Sequence, residues 1–160
     1  MSDTKKGDIV TPNFADQIGA ILFACNINAV RSAMAETMVK DAFPGKIFVD
    51  SCGVTPGIQD GFATAVMQEI GLDMSAHRPK SFDDLDSGFY DVIISFSLEA
   101  HAASEALTQN MDCATFYWPV DNLANLTGSR EEMLRAYRHV RDDIRNKLSI
   151  YFGKPIAGNT

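Results

Sequence analysis

Hydrophobic positions in this chain come in short uninterrupted runs, separated by stretches in which they recur at helical spacing. Residues 18–24 form an apolar run of strand length that ends abruptly in the polar loop CNINAVR at 25–31. From Ser32 the segment AMAETMVK favours a helix, with Met34 and Met38 four apart on one face, and Pro44 with Gly45 ends it. Residues 46–49 predict a second short strand leading into DSCG at 50–53. Phe62, Val66 and Ile70 then repeat at helical spacing until Gly71 supplies a stop. Residues 90–96 predict a third strand, 99–107 an alanine-rich helix, and 114–118 a fourth strand. The last helix carries Met133, Tyr137, Val140, Ile144 and Leu148 at spacings of three and four, and a capping box between Ser129 and Glu132 opens it.

Strands this apolar cannot be buried on one side alone. Alternating with helices, they predict an α/β fold: a single three-layer domain with a four-stranded parallel sheet and helices on both faces. Ligands of such sheets sit beyond the carboxyl ends of the strands, which is where the loop 25–31 falls. No internal repeat or interdomain linker interrupts the pattern. Residues 1–17 read as a polar leader, expected to be disordered, 18–153 as the domain, and 154–160 as a C-terminal tail.

Composition narrows the possibilities. A chain of 160 residues, 46% of them hydrophobic, can bury one core. Its formal net charge of -7 argues against binding nucleic acid or an anionic membrane surface, so an anionic substrate must meet a local positive site. No apolar run approaches the roughly 20 residues of a membrane span. The leader lacks the hydrophobic region of a secretory signal, and a cytoplasmic location is expected. Cys25, Cys52 and Cys113 show no metal-type spacing and are expected to be free thiols. The arginines 130, 135, 138, 141 and 145 alternate with acidic residues and read as a solvated helix face. His101 and His139 lie in helices without a motif around them.

The chemistry is concentrated at the first strand-to-helix turn. Cys25 and Arg31 bracket Asn26, Ile27, Asn28, Ala29 and Val30, where several backbone N–H groups have no helical partner. Such a loop wraps an anion: its amides converge on the oxygens, the helix N-terminus adds partial positive charge, and a guanidinium takes two oxygens at once. Helix N-termini and nearby cations also favour the thiolate form of a cysteine, the form that attacks. One loop therefore both binds a phosphoryl group and presents a nucleophile to it.

The segment FACNINAVRSAMAE at 23–36 resembles the signature of the low-molecular-weight protein tyrosine phosphatases and of the related thioredoxin-coupled arsenate reductases. DSCG at 50–53 is similar to the family's Asp-Ser-Ala-Gly after strand two, and EIGLDMSAHR at 69–78 to its helix-end and histidine segment. The resemblance covers residues 18–148. It implies a flavodoxin-like strand order 2-1-3-4 and a phosphomonoester hydrolase acting through a phosphocysteine, without metal or cofactor. Its partners would be phosphorylated proteins or small phosphoesters and oxyanions such as phosphate.

On this resemblance Cys25 is the nucleophile, Arg31 the phosphate clamp, and Asn28 the loop residue in a left-handed conformation. Ser32 would hydrogen-bond the sulfur, while Ser51 and His77 would hold the asparagine. The family's general acid lies in Asp-Pro after the fourth strand; here WPVDN at 118–122 offers Asp121, with Asn122 in place of the proline. Trp118 suits either the core or a wall of the entrance.

Other departures bear on function. Ile27 stands where the family usually has glycine. Val30 replaces a second loop cysteine, which excludes redox protection by a loop neighbour. Leu123 and Ala124 occupy the place where members acting on phosphotyrosine carry an aromatic ring. The reductases carry a relay cysteine after strand three, where this chain reads SFSL at 95–98, and neither Cys52 nor Cys113 matches the relay. No thioredoxin-dependent arsenate turnover is expected. Arsenate reduction and a noncatalytic oxyanion- or phosphoprotein-binding module remain the alternatives.

Overall fold

The computed structural model describes residues 18–85 and 88–157, so the leader lies outside the described residues. Strands β1 (Ala20–Cys25), β2 (Phe48–Gly53), β3 (Val92–Ser95) and β4 (Ala114–Tyr117) alternate with helices α1 (Arg31–Ala42), α2 (Gly61–Gln68), α3 (Leu98–Leu107) and α4 (Arg130–Phe152). The strands form one parallel sheet of order β2-β1-β3-β4.

Burial of both faces follows from the side-chain alternation of β1. Ile21, Phe23 and Cys25 pack toward α1, α2 and α4, whereas Leu22 and Ala24 pack toward α3 with Cys52, Ile93 and Ala100. The amphipathic stripe of α4 buries Leu134, Tyr137, Val140, Ile144 and Leu148, and the capping box at Ser129 and Glu132 is formed. Trp118 belongs to the core at 1% exposure, edge-on to Tyr151 with ring centroids 5.3 Å apart.

Three local expectations need correction. β2 does not stop at Val49 but continues to Gly53. Its polar residues Asp50 and Ser51 are buried with partners, Lys80 for the aspartate and Glu36 and Asn28 for the serine, so they extend the strand instead of ending it. Arg141 is not on a solvated face. It is 7% exposed, and its Nη1 donates to the Val66 carbonyl at 2.9 Å and to Glu69 Oε1 at 2.7 Å, fastening α4 to the end of α2. Residues 154–157 do not trail away: Ile156 is fully buried and Lys154 lies 4.6 Å over the Phe43 ring.

Among the described residues no helix is long and apolar enough to cross a membrane, and Cys25, Cys52 and Cys113 are free thiols.

Arg138 grips Glu69 from the solvent side through Nε and Nη2, and its hydrogen bonds are the main reason that the Glu69 carboxyl is held below the usual carboxylate range. Removing Arg141 strands the buried Val66 carbonyl and half of this carboxylate's partners. Arg141→Ala is expected to lower the unfolding free energy by about 2 kcal/mol in chemical denaturation. Arg138→Ala, which breaks only the exposed half of the clamp, should have the smaller effect.

Candidate active site

The loop between β1 and α1 is shaped from behind. Residues 54–57 run alongside it, and the N–H groups of Val54, Thr55 and Gly57 donate to the carbonyls of Cys25, Asn26 and Ile27 at 3.0, 3.0 and 2.9 Å. With these carbonyls engaged on the outer side, the amides of the loop turn to the inner side. Among the described residues, the N–H groups of 26–30 donate to no backbone acceptor, and Val30, at the N-cap of α1, provides no side-chain cap. They form a ring of donors at a helix N-terminus, the arrangement that holds tetrahedral oxyanions.

Asn28 fixes the curvature. Its backbone is left-handed, at φ 58°, a conformation asparagine tolerates better than most residues. Its fully buried side chain donates to Ser32 Oγ at 2.8 Å and to Ser51 Oγ at 2.9 Å, and it accepts from the Lys80 N–H at 3.0 Å. His77 Nε2–H donates to the Asn28 carbonyl at 2.7 Å, while His77 Nδ1 lies 3.8 Å from Glu36 Oε1, which also receives the Ser51 hydroxyl. Glu36, a buried carboxylate, closes the network and was assigned no role from the sequence, although it ends the signature segment. Packing against the loop is tight enough to require glycine at 53: a Cβ there would lie 2.7 Å from the backbone of Ile27 and Asn28.

Cys25 Sγ and Ser32 Oγ are 2.9 Å apart. Arg31, 6% exposed, is oriented by its Nη1, which donates to the carbonyls of Phe96 at 3.0 Å and Val120 at 3.1 Å, just beyond the ends of β3 and β4. Its remaining donors are free to form a paired contact with an anion.

These residues open into a cleft lined by Cys25, Ile27, Val30 and Arg31 of the loop, by Asn122, Leu123 and Ala124 from the segment after β4, and by Asp60 and Tyr137. Asn28, Ala29 and Ser32 are buried in the loop beneath. Asp121, the acid expected from the sequence, is not among the cleft-lining residues. It is exposed and lines the neighbouring groove along the start of α4 with Arg135 and His139. The irregular segment after β4 buries Val120 and folds Asn122 back so that its Oδ1 accepts from the Ala124 N–H at 3.0 Å, and Asn122, not Asp121, is among the residues lining the Cys25 cleft. Asp60 and Tyr137, which do reach the cleft, were missed. The one available signal was that Asp60 stands directly before a helix, as an N-cap.

The sequence model of the family described as low molecular weight phosphotyrosine protein phosphatase matches residues 20–154. The chain belongs to this family. An arsenate reductase of Halalkalibacterium halodurans is 28% identical over 131 residues, 82% of this chain and 93% of that protein. A glutaredoxin arsenate reductase of Synechocystis is 37% identical over 75 residues, 47% of this chain and 57% of that protein, so the match spans little more than half of that relative. A tyrosine phosphatase of Erwinia amylovora shares the fold with a TM-score of 0.68 at 17% identity, over 84% of this chain and 91% of that one. The strand order and the strand-to-helix loop of the phosphatase family are thus both present. Among the described residues no group of three or more His, Cys, Asp or Glu gathers as a metal site.

If Gly53 sets the loop's shape, Gly53→Ala should leave the far-UV circular dichroism spectrum intact while weakening orthovanadate binding at least about tenfold, through displaced loop amides. Isothermal titration with orthovanadate measures this.

Proposed function

We propose that this chain hydrolyses phosphomonoesters through a phosphocysteine intermediate. The observation that carries the reading is the coincidence, at one cleft, of a thiol, a loop whose amides have no backbone acceptor and a guanidinium pinned by two carbonyls. The amides and Arg31 hold three phosphoryl oxygens, leaving the phosphorus in line with Cys25 Sγ. The thiolate attacks, the P–O bond of the ester breaks, and the alkoxide or phenolate departs toward Asn122 and Leu123. Water then cleaves the P–S bond, with the Ser32 hydroxyl donating to the sulfur as its charge returns. Leu123 and Ala124 are aliphatic where the family's phosphotyrosine-specific members carry an aromatic ring, which supports small or aliphatic phosphoesters over phosphotyrosine.

Arsenate reduction is the second reading, favoured by the names of the relatives. Cys25 could attack arsenate in the same cradle, but reduction needs further thiols. Cys52 packs on the α3 side of the sheet while Cys25 faces α1, and burial, followed by the charge of Cys25, pushes the Cys52 thiol up and away from the nucleophilic range. Cys113 precedes the edge strand β4, two strands from Cys25. An external thiol would have to supply the electrons.

With purified protein, Cys25→Ser and Arg31→Lys should each abolish phosphoester turnover, because an ammonium cannot reproduce the paired contact of the guanidinium. Near-normal turnover by either variant would overturn the assignment. Robust thiol-dependent arsenite production without phosphoester hydrolysis would favour the second reading, and oxyanion binding without either activity a noncatalytic module.

The placement of Asn122 has its own consequence. An amide can hydrogen-bond a departing oxygen but cannot release a proton to it, so activated aryl phosphates should be the better substrates. Asn122→Asp is expected to raise kcat on phenyl phosphate about tenfold relative to p-nitrophenyl phosphate. Asp121→Asn, one residue away in the other groove, should change neither rate by more than about twofold. A selective loss with Asp121→Asn would restore the acid role to Asp121.

A further inference from the structure

Asp60 is the carboxylate among the described residues lining the Cys25 cleft, and its surroundings define it closely. It precedes α2 and caps it: Oδ1 accepts from the N–H of Phe62 at 2.9 Å and of Ala63 at 3.1 Å. Oδ2 accepts from the Tyr137 hydroxyl at 2.7 Å. Tyr137 comes from α4, is 4% exposed, and its ring packs against Phe62, tilted by 38° with centroids 5.4 Å apart, which limits the movement of the hydroxyl. A carboxylate oxygen accepts about two hydrogen bonds. Oδ1 has both from the helix, while Oδ2 has one from the protein and can take a second from the cleft. Burial, and then the hydrogen bond to Asp60, push the Tyr137 phenol above its ordinary range, so Tyr137 stays the donor of this pair.

A helix cap has no need of a buried tyrosine 77 positions away, nor of a place in the nucleophile's cleft. We propose that Asp60, aimed by Tyr137, is the general base that activates the water cleaving the phosphocysteine. This rests on the phosphatase reading and extends it to the second half-reaction. The water oxygen forms the new bond to phosphorus as one of its protons passes to Asp60 Oδ2. The P–S bond breaks, its electron pair returns to Cys25 as thiolate, and inorganic phosphate leaves. The proton on Asp60 is lost to solvent once the cleft is open again. No oxidant, metal or further reactant enters. Asp60 is the catalytic residue of this step and Tyr137 a positioning residue acting through it.

The test is stopped-flow release of p-nitrophenol from p-nitrophenyl phosphate, comparing the first turnover with the steady state. Asp60→Asn keeps the cap, because the amide oxygen still accepts from Phe62 and Ala63, and removes the base, with the Tyr137 hydroxyl left to accept from the amide instead of donating to the carboxylate. It should release the first equivalent of p-nitrophenol at close to the wild-type rate and then turn over at least about tenfold more slowly, with phosphoenzyme accumulating. Tyr137→Phe leaves the cap untouched and should slow the same second phase to a smaller extent, with the burst preserved. It stands as the deciding variant if Asp60→Asn does not fold. Steady-state rates within about twofold of wild type in the folded variants, or equal losses in burst and steady state, would overturn the role of Asp60 while leaving Cys25 as the nucleophile. Wild-type protein that hydrolyses no phosphoester would overturn both.

Discussion

The cleft depends on how one strand-to-helix loop is held from behind. Peptide groups carry donor and acceptor on opposite sides, so a loop whose carbonyls are occupied on the outside must show its N–H groups to the inside. Residues 54–57 occupy those carbonyls, and the missing side chain at Gly53 lets them approach closely enough to do so. Asn28 then turns the chain through a left-handed step that its own hydrogen bonds stabilise. The polar network of Ser32, Ser51, His77, Lys80 and Glu36 gives the buried Asn28 side chain and carbonyl their partners. The proposed anion cradle, the placement of Cys25 and the direction of α1 all inherit that geometry.

The cleft wall facing the loop is assembled from parts distant in sequence: the segment after β4, the start of α2 and the second turn of α4. Here the chain departs from a simple version of its family. Among the described residues that line the Cys25 cleft, a neutral amide, Asn122, stands where an acid was expected, and the carboxylate comes instead from the cap of α2. Under the proposed phosphatase reading the chemistry divides accordingly, with leaving-group departure weakly assisted and water activation assigned to Asp60.

Much of the fold was legible because its signals are local. Apolar runs of strand length marked all four strands, and the stripe of α4 from Leu134 to Leu148 follows helical spacing. The nucleophile loop was legible for the same reason, since its spacing and its position at a strand end lie within a dozen residues. Errors arose where a polar residue is buried by a distant partner. Asp50 and Ser51 look like a turn until Lys80 and Glu36 are placed beside them, and Arg141 looks solvated until Val66 and Glu69 meet it. Whether Asp121 or Asn122 faces the cleft depends on the path of an irregular segment, which no periodicity encodes. The pairing of Asp60 with Tyr137 joins residues 77 positions apart and emerges only from the packing of α2 on α4.

The central claim is that Cys25 becomes phosphorylated during turnover. Rapid quenching of the protein with p-nitrophenyl phosphate, followed by peptide mass spectrometry, observes this directly. A phosphoryl group on the Cys25 peptide that appears with the first equivalent of p-nitrophenol and disappears when substrate is exhausted is the predicted result. Continued release of p-nitrophenol with the Cys25 peptide unmodified at every time point would contradict the account.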